Sequence, residues 1–324
     1  MAFRVMSDPV GQRMQPTSGA RVVIVVGASS GIGRATAHRL ASDGAHLVLL
    51  ARSAQPLAET AEECTTKGAA SVRVFSVDIQ HAEDVEAAVQ STITQHGRVD
   101  AVIHSAGVVA YGDFVDVPAA VFNQVLTTNV LGAANVARSS LSAMRQQRHG
   151  QLVVIGSVIG DIAVPKMSAY VVSKWALRAL TRELQLENRD LPDVHVTLVA
   201  PGSVDTPIYL QAGNYAGRIG RPPPPVVSPE RVALKVVDNL DHPRRRVDVG
   251  AANVLMRFGF NASPRLFDAL VGPLFSLAGL DQQTVEPHEG NVLSPHPALN
   301  RVRGNQGSSV RAVVSAVRAK VLRR

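Results

Sequence analysis

From residue 21 onward, short runs of aliphatic and β-branched residues alternate with longer segments in which apolar positions recur every three or four residues. The runs at 21–26, 46–51, 71–77, 100–104, 151–156, 194–199 and 247–249 have strand length. The segments at 31–42, 55–67, 82–95, 118–147, 168–189 and 229–240 have helical periodicity. Nearly all the strand runs are apolar throughout, as expected of strands covered on both faces. This alternation predicts an α/β fold: a doubly wound parallel sheet of about seven strands with helices on both faces. No repeat of 20–50 residues is present.

Beyond residue 199 the pattern changes to "APGSVDTPIYLQAGNYAGRIGRPPPPVVSPE", rich in glycine and proline. Pro222 to Pro225 must be extended, and the excursion follows a strand C-terminus, where open α/β sheets bind ligands; it is expected to be a lid. Residues 1–20 contain two prolines and no apolar run and are expected to be a mobile leader. Residues 21–280 are expected to form the catalytic domain with its lid, and 281–324 a linker followed by a basic amphipathic tail.

Charge and composition refine this picture in two ways. The excess of 33 basic over 26 acidic residues is accounted for by residues 301–324, which hold seven basic residues and no acid. The main domain is therefore formally neutral, no nucleic-acid partner is expected, and the tail suits peripheral contact with an anionic membrane. The single cysteine, Cys64, excludes an internal disulfide framework and fits a cytoplasmic setting, possible membrane contact by the tail aside. No cluster has metal-ligand spacing, so no metal is expected.

The stretch "VVGASSGIGR" places Gly27, Gly31 and Gly33 on the spacing G-x-x-x-G-x-G, directly after the first strand run. Glycines there allow positive φ and close approach to the main chain. The unpaired N–H groups at a helix start are suited to a pyrophosphate. Further along, Tyr170 and Lys174 are four apart on one helical face, and Ser157 ends a strand thirteen residues earlier. A tyrosine ionises near 10 and needs a neighbouring cation to work as an acid or base at neutral pH; Lys174 is expected to supply it and to lower the phenol.

The ordered set "GASSGIG", "SAG" at Ser105–Ala106–Gly107, "NVLG" at Asn129–Gly132, Ser157, "YVVSK" at Tyr170–Lys174, and "PGSVDT" at Pro201–Thr206 resembles the short-chain dehydrogenase/reductase family over about residues 21–250. The resemblance implies a Rossmann-like fold, nicotinamide chemistry, a homo-oligomer, and a catalytic group of Ser157, Tyr170, Lys174 and Asn129. Asn129 is implied to hold a water that links Lys174 to solvent. The implied cofactor contacts are Gly27, Ser29, Ser30, Gly31, Ile32, Gly33, Arg34, Arg52, Ser53, Asp78, Ile79, Ser105, Ala106, Gly107, Tyr170, Lys174, Pro201, Gly202, Val204 and Thr206. Two positions depart from the family pattern: Val26 stands where threonine is common, and His104 where asparagine is. Both read as sheet-bracing sites, with His104 as an alternative proton donor.

After the second strand stand Ala51, Arg52 and Ser53, with no carboxylate to meet ribose hydroxyls and with a forked cation for a phosphate. NADP (NADPH) is therefore expected over NAD, with Arg34 joining Arg52 and Asp78 placed as the family's adenine-contacting acid. The reading is an NADP-dependent oxidoreductase interconverting a small-molecule ketone or aldehyde and an alcohol. The alternative is a catalytically silent NADPH-binding sensor or scaffold, against which the intact Ser157, Tyr170 and Lys174 count. Four of the eight phenylalanines fall between Met256 and Leu280, a region expected to close an apolar substrate pocket, with burial against a second subunit or a membrane as alternatives.

Overall fold

The computed structural model describes residues 19–307. The basic tail proposed at 309–324 and most of the leader lie outside the described residues.

Seven parallel strands make the central sheet: β1 (Val22–Val26), β2 (His46–Ala51), β3 (Ser71–Ser76), β4 (Ala101–His104), β5 (Gly150–Ile155), β6 (Val194–Pro201) and β7 (Arg246–Val249). Their spatial order is β7-β6-β5-β4-β1-β2-β3. The order reverses between β1 and β4, the switch point at which such sheets open a crevice at their carboxyl ends. The apolar runs behave as expected: Ile24 and Val26 enter one core layer, and Val23 and Val25 enter the other. The two edge strands, β3 and β7, are half-exposed.

One face is covered by α1 (Gly31–Ser42), α2 (Ala54–Thr66) and α7 (Pro229–Asp241), through Leu40, Leu57 and Val236 among others. The other carries α3 (Ala82–His96), α5 (Ala133–Gln147) and α6 (Ser168–Glu187), through Val85, Met144 and Leu177.

The segment expected as one helix at 118–147 is interrupted. It runs as α4 (Ala119–Leu126), a π-helical turn Thr127–Gly132, and α5. Such turns add a residue to the helical ladder and redirect side chains, and this one contains Asn129. Gly132 is required in it: a Cβ there would lie 2.6 Å from Cγ1 of Ile79.

The apolar region after β7 forms two helices, α8 (Ala252–Ala262) and α9 (Pro264–Ala278). A strand, Leu280–Thr284, then pairs antiparallel with Arg218–Gly220 of the long excursion. Residues 285–307 run back over the carboxyl ends of the sheet, fastened at His288 to Asn214 and at Arg303 to Glu230.

Candidate active site

The glycine turn leaves β1 at Gly27 (φ +83°) and enters α1 at Gly31 (φ +53°). A Cβ on Gly27 would lie 2.6 Å from the backbone nitrogen of Ala106, so only glycine lets the turn seat against the loop after β4. The cleft above it is lined by Gly27, Ser29, Ser30, Gly31 and Ile32 on the floor. Arg52, Ser53, Asp78 and Ile79 stand at one side, and Ser105, Ala106, Gly107 and Thr206 at the other.

Seven expected contacts are not part of this lining: Tyr170, Lys174, Pro201, Gly202 and Val204 line the pocket beside it, and Gly33 and Arg34 line neither. A Cβ on Gly33 would lie 2.2 Å from the carbonyl oxygen of Gly27, so Gly33 serves the packing of α1 beneath the turn. Arg34 points toward α2, where Nε and Nη2 form a bidentate pair with Glu63 at 2.9 and 2.8 Å. The expectation that Arg34 joins Arg52 is therefore corrected: one turn into the helix its side chain faces α2. Arg52 does border the cleft, and its Nη2 donates to the carbonyl of Asn291 at 2.8 Å. Asp78 accepts from the Gln80 backbone N–H at 3.1 Å.

Beside the cleft lies a second, largely apolar pocket that shares Ile32, Ser105, Gly107 and Thr206 with it. Ser157, Tyr170, Lys174, Pro201, Gly202 and Val204 line it, together with Ile162, Met167, Tyr209, Met256 and Phe275. The last two come from α8 and α9, so part of the phenylalanine-rich region closes this pocket. Its outward side chains, Leu255, Phe258 and Leu266, are exposed.

Ser157 follows β5 and caps a short turn, its Oγ accepting from Ile159 N at 3.2 Å. Burial pushes the Tyr170 phenol up to about 12, with the Ser157 hydroxyl pulling the other way. Lys174 lies with Nζ 5.6 Å from the Tyr170 ring centre and donates to the Ile155 carbonyl at 3.0 Å. Burial holds its ammonium down to about 8. The expected lowering of Tyr170 by Lys174 is thus outweighed: enclosing the phenol penalises phenolate more than its neighbours favour it.

Asn129 is buried, and its amide is fully engaged. Oδ1 accepts from Val108 N at 2.8 Å, and Nδ2 donates to Val108 O at 2.8 Å and to Ser173 Oγ at 3.0 Å. The side chain thereby ties the loop after β4 to α6.

His104 and Val26 are register partners across β4 and β1. Valine offers no hydrogen bond, and both His104 ring nitrogens are buried without a partner among the described residues. Burial, reinforced by the charge of Lys174, holds this imidazole down to about 3. It is neutral at physiological pH, which removes it as an alternative proton donor.

Sequence reasoning missed several groups. Buried Asp161, just past the Ser157 turn, receives Arg178 at 3.0 Å and both terminal nitrogens of Arg246. Gln211, Asn291, Pro295, His296 and Asn300 border the cleft from outside. The Gly/Pro and Asn content of their segments reads as loop, and no spacing marks them.

A family model described as short chain dehydrogenase matches residues 21–214. The chain belongs to that family, and the fold and site define it as an NAD(P)-dependent oxidoreductase. It is 30% identical over 262 residues to "Dehydrogenase/reductase SDR family member 7B" of Xenopus laevis, covering 78% of this chain and 81% of that one. Among solved structures it resembles an alcohol dehydrogenase from Thermococcus sibiricus complexed with 5-hydroxy-NADP (TM-score 0.62, 29% identity, 71% of this chain and 95% of that one). It also resembles a short chain dehydrogenase/reductase from Burkholderia phymatum in complex with NAD (TM-score 0.68, 25% identity, 76% and 95%). No helix among the described residues is long and apolar enough to cross a membrane.

Proposed function

We propose that the protein is an NADP-dependent carbonyl reductase or alcohol dehydrogenase acting on an apolar small molecule, with Tyr170 as the proton-transferring residue. The observation that carries this reading is the adjacency of the glycine-floored cleft to an apolar pocket into which Ser157, Tyr170 and Lys174 converge.

The dinucleotide would be held by the glycine turn, by Thr206 and the loop 105–107, by Asp78 on the adenosine side, and by Arg52 on the phosphate that distinguishes NADP. When bound, the nicotinamide supplies or accepts the hydride at the substrate carbon. The remaining work belongs to side chains. A phenol held near 12 is protonated at neutral pH, so Tyr170 is poised to give its proton to the carbonyl oxygen in the direction of reduction. Ser157 would hold that oxygen by its hydroxyl. Lys174 would stabilise the phenolate left behind, since a charge in an enclosed site is worth more than in water. Asn129 acts by position, bracing the loop that carries Gly107 and Val108.

Leu131 and Val172, exposed on the Asn129 turn and α6, are apolar positions that a second copy would cover in a homo-oligomer. Arg52 directly follows β2 and supports NADP; the solved structures that the chain resembles include complexes with NADP or a derivative of it and complexes with NAD.

Replacing Tyr170 by Phe removes the proton donor and leaves the cleft intact. NADPH binding, followed by fluorescence, should be nearly unchanged while kcat for a panel of ketones falls by ~10²- to 10⁴-fold. An unchanged kcat would sink the assignment of Tyr170. A wild-type chain that binds NADPH and turns over nothing would favour a sensor.

A further inference from the structure

We infer that residues 289–304 form a clasp that closes over the dinucleotide cleft, retains the bound cofactor, and opens from its Asn300 end. The inference rests on reading the cleft as the dinucleotide site.

The segment is fixed at two points on the border of the cleft, to Arg52 at its side and to Ser29 and Gly31 in the turn that floors it, with Gln211 held from both. At the first, Gly290 (φ +57°) passes so close to Gln211–Ala212 that a Cβ would lie 2.3 Å from the Ala212 oxygen. The next residue, Asn291, donates its backbone N–H to the Gln211 carbonyl at 2.8 Å and accepts at its own carbonyl from Arg52, and Val292 is fully buried in a cluster with Val108 and Val121. At the second point Asn300 is the fastener: Nδ2 donates to Ser29 Oγ at 3.2 Å, and Oδ1 accepts from Gln211 at 2.6 Å. The following carbonyl, Arg301, accepts from the Gly31 N–H at 2.9 Å, and Arg303 pairs with Glu230 at 3.1 Å. Between these points residues 293–298 are exposed.

A chain tied to the side and to the floor of a cleft, and bordering it between those points, must lift before a molecule as large as a dinucleotide can pass. The arch borders the cleft with Pro295 and His296, and its Asn300–Arg301 end rests on the glycine turn itself, so that end must move for the helix-start N–H groups to meet a phosphate. The first point is held by an apolar anchor and a close backbone approach. The second is held by polar contacts and by the close seating of Gly304 against Thr206, with no fully buried apolar side chain among residues 299–303, so it is the end that releases. The family model matches residues 21–214, so the clasp lies outside the residues that it matches.

Loop opening of this kind sets exchange rates more than the chemical step. The test uses the full chain. Bound NADPH is chased with excess NADP in a stopped-flow fluorescence experiment, comparing wild type with Asn300→Ala/Arg303→Ala. The expected result is release about tenfold faster in the double variant, with Kd weakened correspondingly. Unchanged release, or tighter binding, would overturn the clasp; the latter would mean that the segment competes with cofactor. Hydrogen exchange on the intact chain gives a reading independent of the variant's folding. Amides of 290–301 should exchange more slowly once NADPH is added, and faster exchange would show displacement instead and overturn the inference. If the intact chain binds neither NADPH nor NADH, the reading of the cleft itself fails; if it binds and the clasp amides do not respond, only the clasp fails.

Discussion

Lys174 is held in its site at a cost to the fold, and replacing it by methionine should raise stability while removing activity. The side chain is buried, with the Ile155 carbonyl at 3.0 Å as its hydrogen-bond acceptor, and burial holds its ammonium at about 8 against an ordinary 10.5. That difference corresponds to about 3 kcal/mol. The sign follows from linkage: the unfolded chain binds this proton more tightly than the folded one, so the penalty is fully present below about pH 8 and fades as pH rises toward 10.5. Methionine has similar length and no charge to enclose. Losing the bond to Ile155 returns about 1 kcal/mol, leaving a net gain of about 2 kcal/mol at pH 7. For a chain of this size, with an unfolding entropy of ~0.6 kcal/mol/K, that is a rise in Tm of about 3 °C. Thermal melts of wild type and Lys174→Met without nucleotide, at pH 7 and at pH 10, check it: the variant's advantage should be present at the first and mostly gone at the second, with turnover lost at both. A variant that melts lower at pH 7, or an advantage independent of pH, would refute the reasoning.

Two further outcomes test other parts of the site. Ala51→Asp with Arg52→Ala should reverse the cofactor preference, removing a charge-assisted phosphate contact worth about 1.5–3 kcal/mol and installing a carboxylate that repels phosphate, so the NADPH/NADH ratio of Kd values should shift by at least ~10-fold; an unmoved NADPH Kd would place the phosphate elsewhere. Asp161→Ala should lower stability by about 1.5–3 kcal/mol in urea titration, because it removes the charge-assisted bonds from Arg178 and Arg246, Arg246 keeping Asp248 as its other partner; a loss under about 1 kcal/mol would mean that these arginines relax to solvent.

The central sheet and the meeting of Ser157, Tyr170 and Lys174 were legible because both depend on side chains at fixed spacing. A run such as Val22–Val26 is buried on both faces whichever helices cover it, and residues four apart on a helix share a face in any tertiary context. The misassigned Arg34 marks the limit of that logic. Its proximity in sequence to the glycine turn suggested a phosphate partner, but after α1 begins, helical rotation decides where a side chain points, and Arg34 is carried to Glu63. The pKa of Tyr170 was misjudged for a related reason: spacing reveals the neighbouring cation but not the enclosure that outweighs it. The clasp was not legible at all. Two of its fastenings use backbone carbonyls, Asn291 to Arg52 and Arg301 to Gly31, and every residue has a carbonyl, so no residue type betrays them. Its anchors lie from 73 residues (Arg303 to Glu230) to 271 residues (Asn300 to Ser29) away from the groups they hold, beyond any periodicity. The same fact bears on cofactor choice: the guanidinium that argues for NADP is already oriented by the clasp, so a change at the clasp should alter phosphate recognition by Arg52 without touching Arg52 itself.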